Sequence, residues 1–345
     1  MSSEARIDQL TGLRVLLAPA RAERPDDFAG AARRPPASAQ DRCPFCAGRE
    51  DKTPPETDAE RPEGGEENGP GWVTRSVPNL YPALSSPDGE GAQPSTGPID
   101  PMATSSKRRG TPGLFGRREV QGAHEVIING PDHHTALSDL EPGQVDAAVA
   151  MWRQRMRAHA GAAYLHLIVN EGPVAGASLE HTHAQLYALP FVPAAVARER
   201  ERFGAYNQES QGANLLGDIA AEEVRRRERL VAHDDEALLV APWASRAPFE
   251  LRVIPRSPEP RFEDDDRGAA MMGHALRLLA RRFNGPPQLN IWVRTAPRGT
   301  EAFCWHVDIA PRLTIKAGFE LGTGVDINIY PPERAAEDLR TLEHA

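Results

Sequence analysis

The segment Asn170–Pro190 reads NEGPVAGASLEHTHAQLYALP and carries polar side chains at three alternating positions, His181, His183 and Gln185. Residues two apart in an extended strand point to the same face, so this spacing predicts one polar row. The apolar run Tyr164–Val169 is typical of a buried strand, and the small residues after it predict a turn with backbone N–H groups free for an anion. The stretch therefore predicts two strands and a turn that hold a phosphate beside an imidazole.

Histidine chemistry gives this row a function. A neutral imidazole can attack phosphorus, and the phosphoramidate that forms can pass its group to a second acceptor. The alternative is that the two histidines lie on a solvated strand face. The combination His-x-His-x-Gln, directly after a Gly/Ala/Ser loop, favours a nucleophile over that alternative.

The wording AGASLEHTHAQ resembles the active-site strand of the galactose-1-phosphate uridylyltransferase family, the nucleotidyltransferase branch of the histidine triad superfamily. It is also similar to the branch that contains ADP-glucose phosphorylase. The resemblance implies that His183 becomes nucleotidylated and that Gln185 orients the covalent intermediate. It also implies a set of phosphate-binding positions, which are Asn170, Gly176, Ala177 and Ser178.

Cys43 and Cys46 form a Cys-x-x-Cys knuckle in CPFCAGRE. A single knuckle is equally compatible with a redox pair or with chance, and tetrahedral zinc needs two further ligands. The family resemblance supplies His133 and His181, although His134 is a rival for the first of these. We therefore expect one structural zinc at the base of the catalytic strand.

Nucleotide and sugar contacts are implied by resemblance alone. The opening segment LTGLRVLLAPARAERPDDF offers Arg21 and Arg24, and VPNLYPAL offers a base and ribose pocket at Asn79 and Leu80. Some uridylyltransferases have aspartate at the position of Leu80. In WHVDIAPRLTIKAGFELGTG the implied sugar-phosphate contacts, which come from the partner subunit in dimeric relatives, are Lys316, Phe319 and Gly322. Hexose-binding relatives have a glutamate where this chain has Gly324.

Composition narrows the class of protein. The 345-residue chain has a net charge of -9 and three cysteines. These values argue against a general nucleic-acid binder and against a disulfide framework. Because no apolar stretch approaches about 18 residues, a membrane span is not expected. We expect a cytoplasmic protein, and the resemblance implies a homodimer.

The chain also repeats itself. HEVIINGPDHHTALSDL from His124 is echoed by FELRVIPRSPEPRFEDD from Phe249, an offset of 249 − 124 = 125, and amphipathic helices are expected at 144–159 and 268–283. With the same offset, His306 corresponds to His181 and Asp308 corresponds to His183, so the second copy is expected to lack the nucleophile.

We therefore expect an α+β fold of two histidine-triad-like units, each an antiparallel sheet with a packed helix. The expected catalytic unit is 1–195, and the unit without a nucleophile is 196–345, which opens with a charged helical linker. Residues 51–71 and 85–113 are rich in Pro, Gly, Ser and acidic residues, so they are expected to be poorly ordered insertions.

Three functions fit these residues. The first is a nucleotidyltransferase of the UDP-glucose:hexose-1-phosphate uridylyltransferase type, and a variant of it is a nucleoside diphosphate sugar phosphorylase that uses inorganic phosphate. The second is a nucleotide hydrolase, which Gln185 in the third position disfavours. The third is a zinc-stabilised nucleotide-binding protein without turnover.

Overall fold

The computed structural model of the chain describes residues 2–23, 28, 42–85 and 120–343. Strands and α-helices account for about half of that length. The strands are β1 (Glu4–Ile7), β2 (Arg14–Leu17), β3 (Asp58–Glu60), β4 (Thr74–Pro78), β5 (Ala123–Ile128), β6 (Tyr164–Glu171), β7 (His183–Leu189), β8 (Leu230–His233), β9 (Ala237–Val240), β10 (Leu251–Pro255), β11 (Leu289–Arg294), β12 (His306–Pro311) and β13 (Asp326–Asn328). The helices are α1 (Pro142–Ala158), α2 (Ala194–Glu209), α3 (Leu215–Arg226), α4 (Ala269–Arg282), α5 (Gly318–Thr323) and α6 (Pro332–Glu343).

Ten of these strands form one antiparallel sheet in the order β3-β4-β5-β7-β6-β11-β12-β10-β9-β8. The alternation of side chains separates its two faces. In β11, for example, Leu289, Ile291 and Val293 are buried, while the residues between them are half-buried. A second sheet joins β1, β2 and β13, with β13 parallel to β2.

The predicted duplication is confirmed by the strand order. Read from each edge inwards, the first five strands (β3-β4-β5-β7-β6) and the last five (β8-β9-β10-β12-β11) follow the same path, and the two halves meet where β6 pairs with β11. Each half has a helix before its central strand, α1 before β6 and α4 before β11. The two predicted amphipathic helices correspond to α1 and α4 within two residues at each end.

The offset of 125 is wrong for the active-site strand. β7 begins at His183 and β12 at His306, and the ring Nδ1–H of each donates to the carbonyl oxygen two residues earlier, at 2.8 Å and 3.2 Å. The offset between these rings is 306 − 183 = 123, so His306 is the counterpart of His183. The second half keeps a histidine there, but the neighbouring Asp308 pairs with Arg252 at 2.7 Å.

One hydrophobic core serves both halves. It lies between the sheet and helices α1, α4 and α6, and it includes Trp152 and Leu167 from the first half and Leu279, Ile291 and Trp305 from the second. The sheet and this core are continuous across β6 and β11. The proposed division of the chain into two units at residue 195 therefore rests on the repeat in the chain and not on separate cores. None of the described helices is long and apolar enough to cross a membrane.

The expectation of poor order is wrong for residues 51–71. This segment contains β3, and Glu56 in it pairs with Arg61 at 2.8 Å and with Arg75 at 2.8 Å, all three side chains being largely buried. Buried ion pairs therefore order this polar segment and hold it against β4. Most of the other predicted insertion, residues 86–113, lies outside the described residues.

The expected charged linker corresponds to the end of α2, helix α3 and the turn after it. Arg229 at its end is buried rather than solvated, and it pairs with Glu223 and Glu333 at 3.0 Å each. The four residues before it, 225–228, are exposed, and Arg225 pairs with Glu222 on the surface of α3.

Candidate active site and metal centre

The first residue of β7 is set up as a neutral base. His183 is 6% exposed, and burial lowers the pKa of its imidazole. Its Nδ1–H donates to the carbonyl oxygen of His181, so the lone pair of the neutral ring lies on Nε2. The ring also packs edge-on against Phe45, at 5.2 Å between centroids. A fixed, uncharged imidazole with a free ring nitrogen is the arrangement that nucleophilic attack on phosphorus requires.

The side chain of Gln185 lies on the same face of β7 and is held at its oxygen. The hydroxyl of Tyr187 donates to Gln185 Oε1 at 3.0 Å, and His124 Nε2 lies 3.1 Å from the same atom. His124 is on the neighbouring β5, opposite Tyr187 in the register, and the two rings stack at 4.0 Å. The Gln185 amide nitrogen is then the end of the side chain that can donate to a ligand.

Four side chains gather beside this row and can hold one metal ion. The ligand atoms of Cys43, Cys46, His133 and His181 all lie within 4.8 Å of one another. His181 Nε2–H donates to Gly130 O at 2.8 Å, which leaves its Nδ1 facing the two sulfur atoms. Burial and the adjacent Cys43 raise the pKa of Cys46 to about 11, so a bound cation is needed to keep it a thiolate at neutral pH.

His133, rather than His134, belongs to this cluster. The Nδ1 atom of His133 lies 3.4 Å from Cys46 Sγ. His134 contributes its backbone instead, since its carbonyl oxygen accepts from the N–H of Thr182 at 2.8 Å. The structure thus brings the four predicted ligands together and leaves the rival outside.

The loop before β7 differs from the expectation. Gly172 and Gly176 both have φ of 88°, which closes a tight 3-10 turn. The N–H of Gly176 donates to Pro173 O at 3.0 Å and that of Ala177 to Gly172 O at 3.2 Å. The prediction that both are free anion donors is therefore wrong for this conformation. Ser178 is exposed.

The second half of the chain supports this loop, which the sequence did not reveal. Gln288 Oε1 accepts from the N–H of Val174 at 2.8 Å, and Asn290 Nδ2 donates to Asn170 Oδ1 and to Ala175 O at 2.8 Å each. Asn170, a predicted phosphate ligand, is thereby fixed by a residue of β11. Nothing in the sequence indicated this contact beyond the strand patterns of β6 and β11, because the contact depends on the pairing of these two strands.

The predicted base segment lies beside Gln185. Asn79 Nδ2 is 3.0 Å from His124 Nε2, and Asn79 Oδ1 accepts from the N–H of Tyr81 at 2.8 Å. Leu80 is 62% exposed and Tyr81 is 85% exposed, so both present apolar surface where a base can stack. His124 was not predicted as a site residue, although it opens the repeat motif.

The remaining predicted contacts lie elsewhere on the surface. Arg21, Lys316 and Val174 line a cavity of about 770 Å³. Lys316 pairs with Asp326 at 2.5 Å, and Phe319 and Gly322 lie exposed on α5. Arg24 lies outside the described residues. His183 is not among the described residues that line this cavity.

Comparisons with known proteins agree with this geometry. The profile of the N-terminal domain of galactose-1-phosphate uridyl transferase matches residues 73–193. Over 355 aligned residues the chain is 32% identical to ADP-glucose phosphorylase from Arabidopsis thaliana, covering 99% of this chain and 93% of that protein. It is 28% identical to galactose-1-phosphate uridylyltransferase from Thermotoga maritima, covering 71% and 80%.

A solved structure has the same fold. The crystal structure of an ADP-glucose phosphorylase from Arabidopsis thaliana with bound ADP-glucose superposes with a TM-score of 0.76 at 30% identity, over 99% of this chain and 98% of that one. The chain belongs to the galactose-1-phosphate uridylyltransferase family of nucleotidyltransferases.

Proposed function

We propose that this nucleotidyltransferase is a nucleoside diphosphate sugar phosphorylase that acts on ADP-glucose through a covalent nucleotidyl-His183. The observation that carries the proposal is the neutral His183 ring, whose Nδ1 proton is committed to the His181 carbonyl oxygen. Nε2 attacks the α-phosphorus and forms a P–N bond. The bond to the bridging oxygen breaks, and glucose 1-phosphate leaves with the electron pair.

The second half-reaction regenerates the histidine. An oxygen of inorganic phosphate attacks the same phosphorus, the P–N bond breaks, and its electron pair returns to Nε2. The products of the two steps are glucose 1-phosphate and ADP. The backbone hydrogen bond at Nδ1 holds the ring in one orientation through both steps, so neither step requires the histidine to rotate.

Charge that develops on the nonbridging oxygens is met by side-chain amides. Gln185 presents its amide nitrogen beside His183, and Asn170 is fixed from β11 at the end of the neighbouring strand. Ser178 supplies an exposed hydroxyl after the Gly176 turn. Fixed donors of this kind lower the barrier because they need no reorganisation when charge appears.

The choice of adenine rests on similarity and on Leu80. The chain matches the ADP-glucose phosphorylase along nearly its whole length, whereas the uridylyltransferase match covers 71% of it. An exposed leucine stacks on any base and offers no hydrogen bond that reads uracil. Uridylyl transfer to a hexose 1-phosphate is the second candidate, since the N-terminal domain profile and the second relative both carry that name.

The choice of inorganic phosphate as acceptor rests on Gly324. This residue caps the C-terminus of α5 with a φ of 69°, a left-handed backbone conformation that a glutamate residue adopts only with strain. The position where hexose-binding relatives have an acid is thus built for glycine. Without that carboxylate the site has one acceptor fewer for sugar hydroxyls and one negative charge fewer to repel a phosphate dianion.

We also propose that the metal is zinc. Zinc bonds of about 2.3 Å to sulfur and about 2.0 Å to nitrogen in a tetrahedron give S···N edges of roughly 3.5 Å. The Cys46–His133, Cys43–His181 and Cys46–His181 separations are 3.4, 3.6 and 3.7 Å. All four positions are taken by protein, so the ion supports the strand rather than activating water.

The remaining contacts fit a homodimer. Arg21 and Lys316 line a surface cavity, and Phe319 is exposed on a short helix, as expected if the partner subunit completes a sugar-phosphate site. Arg21 and Arg24 remain the candidates for the nucleotide phosphates, because guanidinium groups bind phosphate in a planar fork.

Isotope exchange tests the function directly. Labelled glucose 1-phosphate is incubated with unlabelled ADP-glucose and protein, without inorganic phosphate. A covalent intermediate predicts that label enters ADP-glucose, and adding phosphate should then produce ADP. His183→Gly should abolish both activities, whereas His134→Ala, a neighbouring histidine outside the site, should retain them. A parallel reaction contains UDP-glucose in place of ADP-glucose, and label that entered UDP-glucose alone would change the proposed base from adenine to uracil. Release of AMP from ADP-glucose without phosphate would indicate a hydrolase.

A further inference from the structure

Two aromatic side chains, Tyr187 and His124, contact the amide oxygen of Gln185. Tyr187 lies two residues further along β7 on the same face, and its hydroxyl donates to Gln185 Oε1 at 3.0 Å. His124 lies on β5 directly opposite Tyr187, and its ring stacks on the phenol at 4.0 Å with an interplanar angle of 24°. Both rings are therefore held by the sheet register rather than by a mobile loop.

The protonation pattern of His124 follows from its neighbours. The N–H of Ala83 donates to Nδ1 at 3.1 Å, so the proton of the neutral ring is on Nε2. Burial lowers the pKa of His124, which favours that neutral form. Two atoms lie near Nε2, and of these Asn79 Nδ2 is itself a donor, so Gln185 Oε1, at 3.1 Å, is the acceptor.

Two donors on one oxygen fix the orientation of the amide. An amide oxygen has two lone pairs, and Tyr187 and His124 occupy both. Rotating the amide by 180° would set an amide N–H against the Nε2–H of His124 and lose that hydrogen bond, and the Tyr187 hydroxyl would have to turn from donor to acceptor. The nitrogen end of Gln185 is therefore kept available to a phosphate before any ligand arrives, which is preorganisation of the kind that catalysis uses.

We propose that His124 and Tyr187 are positioning residues for nucleotidyl transfer, which act by locking the Gln185 amide with its nitrogen directed to the α-phosphate. This inference rests on the proposed function of His183 and Gln185. His124 also accepts from the backbone of the base segment at Ala83, so the ring joins the part of the chain that meets the base to the group that meets the phosphate.

Tyr187→Phe is the sharpest variant, because it removes one hydroxyl and keeps the ring that stacks on His124. We expect nucleotidylation of His183 to slow by about tenfold, the loss of one oriented hydrogen bond, with KM for the nucleotide sugar changed less than about twofold. Metal content and Tm should match wild type. Tyr206→Phe is the control, since it removes a similar hydroxyl from a hydrogen bond to Asp218 on the helices outside the site.

A double-mutant cycle separates positioning from a structural role. In a Gln185→Ala background, Tyr187→Phe should cause no further loss, because the amide it orients is gone. His124→Phe should behave the same way, and His124→Gln, which restores a donor, should recover part of the rate. A Tyr187→Phe enzyme as fast as wild type, or an equal loss in both backgrounds, would overturn the proposal while leaving the covalent mechanism intact.

A second measurement does not depend on turnover. In protein labelled with ¹⁵N-glutamine, the side-chain amide signals of Gln185 are assigned by their loss in Gln185→Ala. A locked amide predicts one sharp pair of signals in wild type, with Tyr187→Phe and His124→Phe shifting or broadening it. Signals that are unchanged in both variants would refute the positioning role even if wild type formed no nucleotidyl-histidine.

Discussion

The Phe45 ring packs edge-on against the His183 ring, with centroids 5.2 Å apart and an interplanar angle of 67°. Phe45 lies between Cys43 and Cys46 in the knuckle, so the segment that would bind the metal also forms one wall of the proposed nucleophile's pocket. On the other side, His181 is a candidate metal ligand and its carbonyl oxygen accepts the Nδ1 proton of His183. The cluster that can bind a metal thereby restrains the ring of the proposed nucleophile through two separate contacts.

This relationship predicts different effects for two substitutions in the knuckle. Phe45→Leu should keep the metal but slow nucleotidyl transfer by about tenfold, because the ring of His183 loses one wall. Cys43→Ser should lower both metal content and Tm, since metal binding and folding are coupled. Metal analysis, thermal melts and transfer rates on both proteins check this. A Cys43→Ser protein with wild-type metal content would remove the proposed centre.

Asn290 is predicted to act on the site from the other half of the chain. Asn290→Ala removes the hydrogen bonds to Asn170 and to the carbonyl oxygen of Ala175, so the loop at 172–178 keeps only the Gln288 side chain among its described side-chain hydrogen bonds to the second half. We expect kcat/KM for the nucleotide sugar to fall by roughly tenfold, with a small loss of stability. Asn207→Ala serves as the control, because it removes a similar hydrogen bond, from Asn207 Nδ2 to the Ala213 carbonyl oxygen, outside the site. Unchanged kinetics in Asn290→Ala would mean that the loop orders itself.

Glu125 is expected to make stability depend on acid pH. Its carboxylate pairs with Arg155 at 2.9 Å and lies 2.8 Å from His159 Nε2. These hydrogen bonds outweigh burial and lower the pKa of Glu125 to about 2, from an unfolded value of 4.5. A lowered pKa contributes stability that is present above about pH 4.5 and is lost as the pH falls towards about 2.

Glu125→Gln tests that contribution. The glutamine keeps one oxygen acceptor but removes the charge, so Asp58 is the one described carboxylate left beside the largely buried Arg155, and we expect a loss of about 2–4 kcal/mol at neutral pH. The loss relative to wild type should shrink as the pH falls below about 4.5, because the wild-type carboxylate then takes up a proton too. Urea unfolding at several pH values measures this. A difference that is constant with pH would contradict the assignment.

The counterpart of the active strand in the second half should be structural. Asp308 pairs with Arg252 at 2.7 Å, and Arg294 lies 3.2 Å from Glu199, so the described charges around His306 already pair with one another. We expect one metal ion per chain, and Asp308→Asn should lower Tm without changing metal content or transfer chemistry. A second metal equivalent that disappears in Asp308→Asn would show that this cluster binds an ion.

Local sequence patterns were sufficient for much of this architecture. A continuous apolar run predicted β6, the alternating polar row predicted β7, helical patterns predicted α1 and α4, and the repeat predicted two matching halves. The knuckle together with the family resemblance predicted a metal cluster, and the structure brings its four residues together. These features depend on residues close in sequence or on a motif that the family shares.

The features that were missed depend on contacts between distant segments. The Asn290 contact requires β11 to pair with β6, and the His124–Tyr187 stack requires the register of β5 against β7. Composition suggested disorder at 51–71, because it does not reveal that Glu56 meets Arg75 from the next strand. The small residues after β6 predicted free backbone N–H groups, although a turn as tight as the one at Gly172 uses those groups in its own hydrogen bonds.

The covalent intermediate is the central claim, and the mass of the intact protein after mixing with ADP-glucose tests it most directly. Under conditions that preserve acid-labile phosphoramidates, we predict a gain of one AMP moiety per chain, located on His183 and reversed by added phosphate or glucose 1-phosphate. The matched His183→Gly protein should show no gain. An unmodified wild-type protein that nevertheless converts ADP-glucose and phosphate to products would contradict the account, because transfer would then proceed without a nucleotidyl-histidine.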